Sequence, residues 1–473
     1  MGWVAAPRYG AGVTIGRVIP AAQPAPAVPS PWTPGALGGL VAITFVAAVL
    51  RAHSLGAWSF GEREAATWRA ITMPLGDDAA GGLRTWAPLV HFLQRWLVDS
   101  GWLPSHGEGW LRLPFAAAGI ACVPLLAFAA RPWFGLRAAL LGSALLAVHP
   151  LAMVASQTMQ PAVMVGLLAT AAFAAAMPGR GAFAAAALGV ALLAAPAGWV
   201  LAAAGAATRL PARVVRRVTP VVLALAVPSL AVHGDDWSWP IVALAVVGAV
   251  GASGSIATLR LPLGVLVVGF AAADLVGLVE PLDAVIALPL LVLFAAAGAV
   301  DLLFRARGML PGSPAIARVV AGLPFALAGT WLGVDTFLYA TVYHGRRAPW
   351  RAAAEIVLSA RDRVGACTIG ADAGLLPLLF YLRPNHWRER GRDAHAAIEV
   401  VALEAAAGTA GIERLAASGR PQAFVVLRDD ELRALDAATA TAFARHFVLT
   451  AALPSPQPHG SDTLHVFQRG PVR

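Results

Sequence analysis

The sequence has no lysine; all 35 residues of the Lys+Arg class are arginine. It holds two cysteines, Cys122 and Cys367, far apart in the chain, which excludes a disulfide framework and a cysteine-based zinc site. Its one asparagine, Asn385, is followed by His386 and Trp387, so no glycosylation sequon exists. Charged residues make up only 13%, about half the usual quarter. Against these shortages stands a hydrophobic share of 58% across 473 residues. No soluble fold of this length hides so much apolar surface, which excludes a soluble enzyme, a disordered chain and a secreted scaffold. A polytopic α-helical membrane protein remains. The formal charge of +9 does not mark a nucleic-acid surface, because the arginines sit between apolar runs as topology signals.

Residues 1–35, rich in Pro, Ala and Gly, read as a flexible cytoplasmic tail rather than a signal peptide. Apolar runs long enough to span a bilayer then recur near 36–51, 111–130, 136–154, 161–178, 181–208, 218–233, 240–258, 261–279, 284–304 and 318–340. The run 181–208 contains Pro196-Ala197-Gly198 and reads as a hairpin of two short helices, giving about eleven segments. With the N-terminus inside, the inner loops carry Arg131, Arg137, Arg180, Arg209, Arg213, Arg216, Arg217, Arg260, Arg305, Arg307 and Arg318. The outer loops carry Asp235, Asp236, Glu280, Asp283 and Asp335. This positive-inside pattern places the C-terminal region outside, and the chain is expected in the cell's inner (plasma) membrane.

Two segments fall outside the bilayer. The outer loop 53–110 carries Glu62, Glu64, Asp77, Asp78, Asp99 and Glu108. Within it, Pro88–Asp99 has helical spacing with Leu, Phe and Trp on one face, the pattern of a helix lying along the membrane surface. The second segment, 344–473, alternates strand-like and helix-like stretches and is expected to form a small extracytoplasmic α/β domain after the transmembrane domain of 36–343. Its first strand runs into Gly365-Ala-Cys-Thr-Ile-Gly370, with no dinucleotide-binding glycine motif.

Acids on one outer loop beside a surface helix form a place where a carboxylate could deprotonate a hydroxyl or hold a metal. Solvated loop acids are the plainer reading, and they are the one taken for Asp77, Asp78, Asp99 and Glu108. Arg112, at the outer end of a span, has two readings, a bidentate partner for lipid phosphate and a snorkelling interface residue. His91 is a proton carrier or an amphipathic interface residue. His149 and Gln157 sit where they could line a cavity. Asp274 lies inside a span, where an ionisable group implies a buried partner or a route to the interface.

The stretch Val49–Thr67, VLRAHSLGAWSFGEREAAT, resembles the opening of GT-C-fold bacterial membrane glycosyltransferases, in the group of dolichyl-phosphate-mannose–protein mannosyltransferases and aminoarabinose transferases. In that family an apolar first helix runs into a Leu-Gly motif and then an Asp-Glu pair. Leu55-Gly56 and Glu64-Ala65 match. Pro88-Leu89 with its amphipathic helix, Trp110–Pro114, Arg131–Arg137, His149-Pro150, Ser156-Gln157, Tyr343 and Arg347–Ala354 continue the resemblance in order. It implies a donor sugar on polyprenyl phosphate, a lipid, glycan or protein acceptor on the outer face, membrane lipid as a partner, no nucleic acid, and no cofactor beyond an open question of a divalent metal. A base there takes the acceptor's proton, the oxygen attacks the anomeric carbon with inversion, and basic groups stabilise the departing phosphate. The chain departs from the pattern at three positions: the family's Asp is Arg63, and Thr158 and Gln160 replace an acid and an arginine. Arg63 stays protonated and cannot be a base. Glu62 or Glu64 then supplies the carboxylate, with Arg63, His91, Arg112 and Gln157 as substrate-binding residues; otherwise the chain is a non-catalytic relative in envelope-glycan assembly. A lipid or glycan transporter is the third reading, disfavoured by the lack of an internal repeat.

Overall fold

The computed structural model describes residues 31–53, 55–56, 59, 64–65, 67–68, 71, 88–104, 107–175, 200, 203–204, 206, 214, 218–222, 226, 239–251, 259–275, 281–309, 314–338, 349–371, 375–382, 398–403, 408–454 and 463–470. The expected hairpin at 181–208, most of the run 218–233, the N-terminal tail, and Glu62, Arg63, Asp77 and Asp78 lie outside the described residues.

The first helix, α1 (Pro34–Ala52), starts as its sequence dictates. Thr33 caps it by accepting from the Ala36 N–H at 3.2 Å, and Pro34 occupies the first helical position. Leu37, Val41, Phe45, Val46 and Val49 are exposed along its length, the arrangement of a helix that faces lipid. The next helix, α2 (Pro88–Asp99), matches the amphipathic stretch of the sequence. Its polarity is inverted relative to a soluble helix: Phe92, Leu93 and Trp96 point outward, while His91 and Gln94 are buried against the protein.

The helical run α3 covers Glu108–Val148. Straight, its 41 residues would reach about 60 Å, twice the hydrocarbon thickness of a bilayer. It breaks at Gly135, whose φ of 77° and ψ of 167° belong to a region essentially confined to glycine. The two halves fold back on each other. Arg112 in the first half bonds to the carbonyl of Leu55, and the carbonyls of Leu146 and Ala147 in the second half bond to Arg51, four residues earlier. Both ends of α3 therefore sit at the C-terminal end of α1, with Gly135 at the far side. The sequence places two spans and a short arginine-flanked loop here, which this hairpin matches.

After His149 come α4 (Pro150–Ser156) and α5 (Pro161–Ala175), bent by 114° at the break between them. Then follow α6 (Trp239–Gly251), α7 (Arg260–Leu275), a single 3-10 turn at Pro281–Ile286, α8 (Leu288–Met309) and α9 (Pro314–Leu338). Helices α6 and α8 meet through glycines. A Cβ on Gly248 would lie 1.9 Å from the Phe294 carbonyl oxygen, and one on Gly298 would lie 2.4 Å from that of Leu244. Small residues that let backbones touch are the usual means of helix contact in lipid, where burial supplies no driving force. Among the described residues, α1, α3 and α8 are long and apolar enough to cross a membrane, and the bent α4–α5 pair adds a fourth candidate. The molecule is a membrane protein.

Charge separates the two ends of this bundle. At one end the guanidinium of Arg131 lies 5.3 Å from the Trp32 ring, Arg137 lies 6.0 Å from Phe304, Arg305 pairs with Asp301 at 2.7 Å, and Arg260 donates to the Val250 carbonyl. At the other end Glu64, Glu108 and Asp283 stand with Arg51, Arg112 and Arg351, so among these residues that end has no excess of positive charge.

The C-terminal part carries α10 (Trp350–Val364), β1 (Cys367–Ala371), α11 (Leu375–Leu382), β2 (Ile398–Ala402), α12 (Gly408–Ala416), β3 (Gln422–Arg428), α13 (Asp429–Ala434), α14 (Ala437–His446), β4 (Phe447–Leu453) and β5 (Leu464–Arg469). The strands form one sheet in the order β2-β1-β3-β5-β4, with β1 parallel to β2 and β3, and β5 antiparallel to β3 and β4. Helices α10 and α11 cover one face around Trp350, Val357 and Leu378; α12 and α14 cover the other around Ile412, Leu415 and Phe443. The strand–helix alternation expected from the sequence is present, with two helices, α13 and α14, between β3 and β4.

Candidate active site

The site is built where the helix ends converge. Arg112, in the first turns of α3, is fully buried and grips Glu64 with two bonds, Nε to Oε1 at 2.7 Å and Nη2 to Oε2 at 2.9 Å. Its Nη1 donates to the Leu55 carbonyl at 2.9 Å and Nη2 to that of Ser59 at 3.4 Å. Glu64 Oε1 also accepts from the Met159 N–H at 3.3 Å. A fork-to-fork pair of this kind is the strongest geometry open to a carboxylate. It holds the loop after α1 against α3, and it gives the Leu55-Gly56 motif a physical reason. The Leu55 carbonyl takes an arginine bond, and Gly56 packs on Gly109, where a Cβ on Gly109 would lie 3.3 Å from the Gly56 nitrogen.

The ends of the broken helices are capped by one another. Buried Arg51 donates to the carbonyls of Ala147 at 2.7 Å and Leu146 at 3.0 Å and to Ser156 Oγ at 3.3 Å. Thr336 Oγ1 donates to the Val148 carbonyl at 2.7 Å, so the last carbonyls of α3 have partners. A cation at a helix C-terminus also meets the negative end of the helix dipole. In return, Gln157 Nε2 donates to the carbonyls of Leu50, Arg51 and His53 at the end of α1. Arg51, Cys122, Ser156 and Val285 line a cavity of about 20 Å³ in this junction. Beside it, Gln160 Nε2 donates to Asp283 Oδ1 at 2.6 Å.

A second cluster ties the C-terminal part to the bundle. Glu108, at the N-terminus of α3, accepts from Arg351 Nη2 and from the Tyr381 hydroxyl at 2.9 Å. Arg351 Nη2 also reaches the Gly56 carbonyl at 3.0 Å, and its backbone N–H donates to Ser59 Oγ. Burial alone lowers the basicity of Arg351; the bond to Glu108 outweighs it, and the guanidinium ends above its ordinary range. Phe380 meets Trp68 edge-on at 5.1 Å.

Of the residues singled out in the sequence, Glu64 and Arg112 are brought into direct contact, and Gln157 lies in the adjoining junction as a helix cap. His91 faces the protein on α2, whose neighbour Gln94 donates to the Leu111 carbonyl at 2.9 Å. Glu62 and Arg63 lie outside the described residues. Among the described residues, no three His, Cys, Asp or Glu side chains are grouped as ligands for a metal ion. The sequence reading missed Glu108, read as a solvated loop acid but held by Arg351 and Tyr381. It also missed the Gln160–Asp283 contact, because nothing local in the chain relates residues so far apart. Arg51 carried a signal that was not used: an arginine inside the last turn of an apolar span needs partners.

No family model and no curated protein sequence matches the chain. The fold is shared with solved GT-C glycosyltransferases. ArnT from Cupriavidus metallidurans in the apo state is similar over 92% of this chain and 100% of its own, with a TM-score of 0.51 and 17% identity. The same protein bound to undecaprenyl phosphate gives a TM-score of 0.50 at 16% identity, over 92% and 99% of the two chains. An Archaeoglobus fulgidus oligosaccharyltransferase in the apo form is 11% identical over 87% of this chain and 72% of its own, with a TM-score of 0.45. At the identities of the two ArnT structures the shared property is the fold.

Proposed function

We propose that the protein is a glycosyltransferase that takes a sugar from a polyprenyl-phosphate carrier and passes it, with inversion, to a lipid, glycan or protein acceptor at the outer face of the inner membrane. The observation that carries this reading is the buried Glu64–Arg112 pair at the junction of helix ends, in the loop where the resembling family keeps its Asp-Glu motif. The fold shared with ArnT, a protein crystallised with undecaprenyl phosphate, supports a lipid-phosphate donor. The charge separation of the bundle supports an orientation with Arg131, Arg137, Arg260 and Arg305 in the cytoplasm and the site outside. In this reading about eleven spans fill 36–343, the loop 53–110 and the extracytoplasmic α/β domain of 344–473 cover the site, and residues 1–35 form a cytoplasmic tail.

The chemistry follows from the residues. Glu64 has three donors on its oxygens, two from Arg112 and one from the Met159 N–H. Its role is to position Arg112 and the 157–160 segment. Glu62, two residues earlier, is the loop's other candidate for accepting a proton, with Arg63 directed at phosphate and His91 and Gln157 bordering the substrate.

The test is transfer from a panel of polyprenyl-phosphoryl pentoses and hexoses by purified protein, with Glu62→Gln and Glu64→Gln as controls. Transfer by the wild type and a fall in both variants is expected; transfer that survives both removes these residues from the mechanism. A non-catalytic relative in envelope-glycan assembly is the second reading, favoured by Arg63 in place of the family's Asp. Binding of undecaprenyl phosphate without transfer from any donor, even after Arg63→Asp, selects it.

A further inference from the structure

The arginine-bearing end of the bundle brings three guanidinium groups to one patch from three parts of the chain. Arg305 on α8 pairs with Asp301 at 2.7 Å. A Cβ on Gly251, the last residue of α6, would lie 3.3 Å from Arg305 Nη2 and 2.9 Å from Asp301 Oδ2. Arg260, which opens α7, donates from Nη2 to the carbonyl of Val250, the residue before Gly251, at 2.9 Å. Arg137, two residues beyond the break in α3, lies 6.0 Å from the ring of Phe304, the residue before Arg305. Among the described residues, three positive charges therefore share this patch with one carboxylate, Asp301. Arg137 and Arg305 are exposed.

The course of α3 puts the patch at a membrane surface. Both halves of that helix are apolar, and the chain turns back between them at Gly135, where it leaves the hydrocarbon. Trp32 lies there against Phe128 at 5.0 Å and under Arg131 at 5.3 Å, an aromatic placement typical of the interface. Beside the guanidinium groups stand exposed apolar side chains, Phe304 on α8 and Val246, Val247 and Val250 on α6. Positive charge at the rim and an apolar wall next to it match the two ends of a lipid. A zwitterionic lipid brings its own cation to such a rim and gains little there, whereas an anionic one gains from every arginine.

We propose that this patch binds an anionic phospholipid. Its phosphate is held by Arg137 and Arg305, Arg260 adds charge from the flank, and its acyl chains lie along Phe304 and the exposed valines of α6. Basic pockets between transmembrane helices are a known form of headgroup site. A guanidinium also offers a planar pair of N–H groups to two phosphate oxygens, which strengthens the contact. Asp301 neutralises part of Arg305 and so opposes the lipid. The site stands at the far end of the bundle from Glu64 and Arg112 and does not depend on the glycosyltransferase reading.

The test compares phosphatidylglycerol with phosphatidylcholine of the same acyl chains, by native mass spectrometry of the full-length protein in an uncharged detergent. The wild type is expected to prefer phosphatidylglycerol. One arginine near a headgroup is worth about fivefold in affinity, so Arg137→Gln is expected to reduce the preference by about that factor, and Arg305→Gln to reduce it as well. Asp301→Asn is expected to raise it, a gain that a loss of fold does not produce. Arg445→Gln removes an exposed arginine of the C-terminal part and is expected to leave the preference as it is. Equal binding of the two lipids by the wild type overturns the proposal, and so does an unchanged preference in both Arg137→Gln and Arg305→Gln. A fall in Arg445→Gln as large as in Arg137→Gln overturns it too, because the effect would then be one of net charge. Displacement of the lipid by an equal concentration of soluble glycerophosphate would show that phosphate alone is recognised and would overturn the assignment to lipid.

Discussion

Glu64 and Arg112 show how much a single buried pair can hold. One guanidinium fixes a carboxylate and two loop carbonyls, and the carboxylate in turn fixes the Met159 N–H. Removing one partner leaves the other charged in a dry site, which costs about 3–5 kcal/mol, whereas replacing both with apolar groups is often close to neutral. Glu64→Gln is therefore expected to lower the thermal unfolding midpoint in detergent sharply. The double variant Glu64→Leu/Arg112→Met should recover most of that loss while transferring no sugar. A double variant as unstable as the single one would show that stability depends on the bonds to Leu55 and Ser59 rather than on charge balance. The sequence marked both residues as interesting, because charges are scarce in this chain. It could not pair them, since the two stand on different elements and each has a plausible solitary role.

At the scale of elements, helix limits were legible and helix breaks were only partly so. Pro34, Pro88, Pro150, Pro161 and Pro314 begin helices, where the missing N–H is harmless and φ is already suitable. Pro114, Pro124 and Pro132 lie inside α3 without ending it, a placement that membrane helix bundles tolerate. The break falls instead at Gly135. Gly135→Ala forces a Cβ into a glycine-only conformation and is expected to cost about 1–3 kcal/mol, read as a lower unfolding midpoint with Glu64 and Arg112 unchanged. An unaltered midpoint would mean that the turn relaxes to another geometry. The helix α2 and its apolar face were also legible, since its Leu, Phe and Trp spacing is local; that His91 and Gln94 turn inward follows only from what it packs on.

For the whole molecule, the bundle and the C-terminal sheet are joined through a small polar knot, Glu108 with Arg351 and Tyr381, flanked by the Trp68–Phe380 contact. Arg351→Ala is expected to leave the helical content unchanged and to increase hydrogen exchange in α10 and α11 several-fold, because few other polar contacts join these elements to the bundle among the described residues. If exchange in α10 and α11 stays as slow as in the wild type, the aromatic contact alone holds the two parts together. High salt should weaken the clamp only modestly, since Glu108 is buried and poorly screened.

The composition by itself settled that this chain lives in a membrane, because an excess of apolar side chains has nowhere else to go. The length of apolar runs and local patterning then gave the positions of the described helices and the strand–helix order of the C-terminal part, since both depend on neighbours close in the chain. Tertiary structure alone decided which charges meet. Arg51 caps the end of α3, Gln157 caps the end of α1, Glu64 meets Arg112, and Gln160 meets Asp283, each across a long stretch of chain. Low-dielectric surroundings make an unpaired polar group costly, so these partners are found by packing, and packing is not written at any fixed spacing in the sequence.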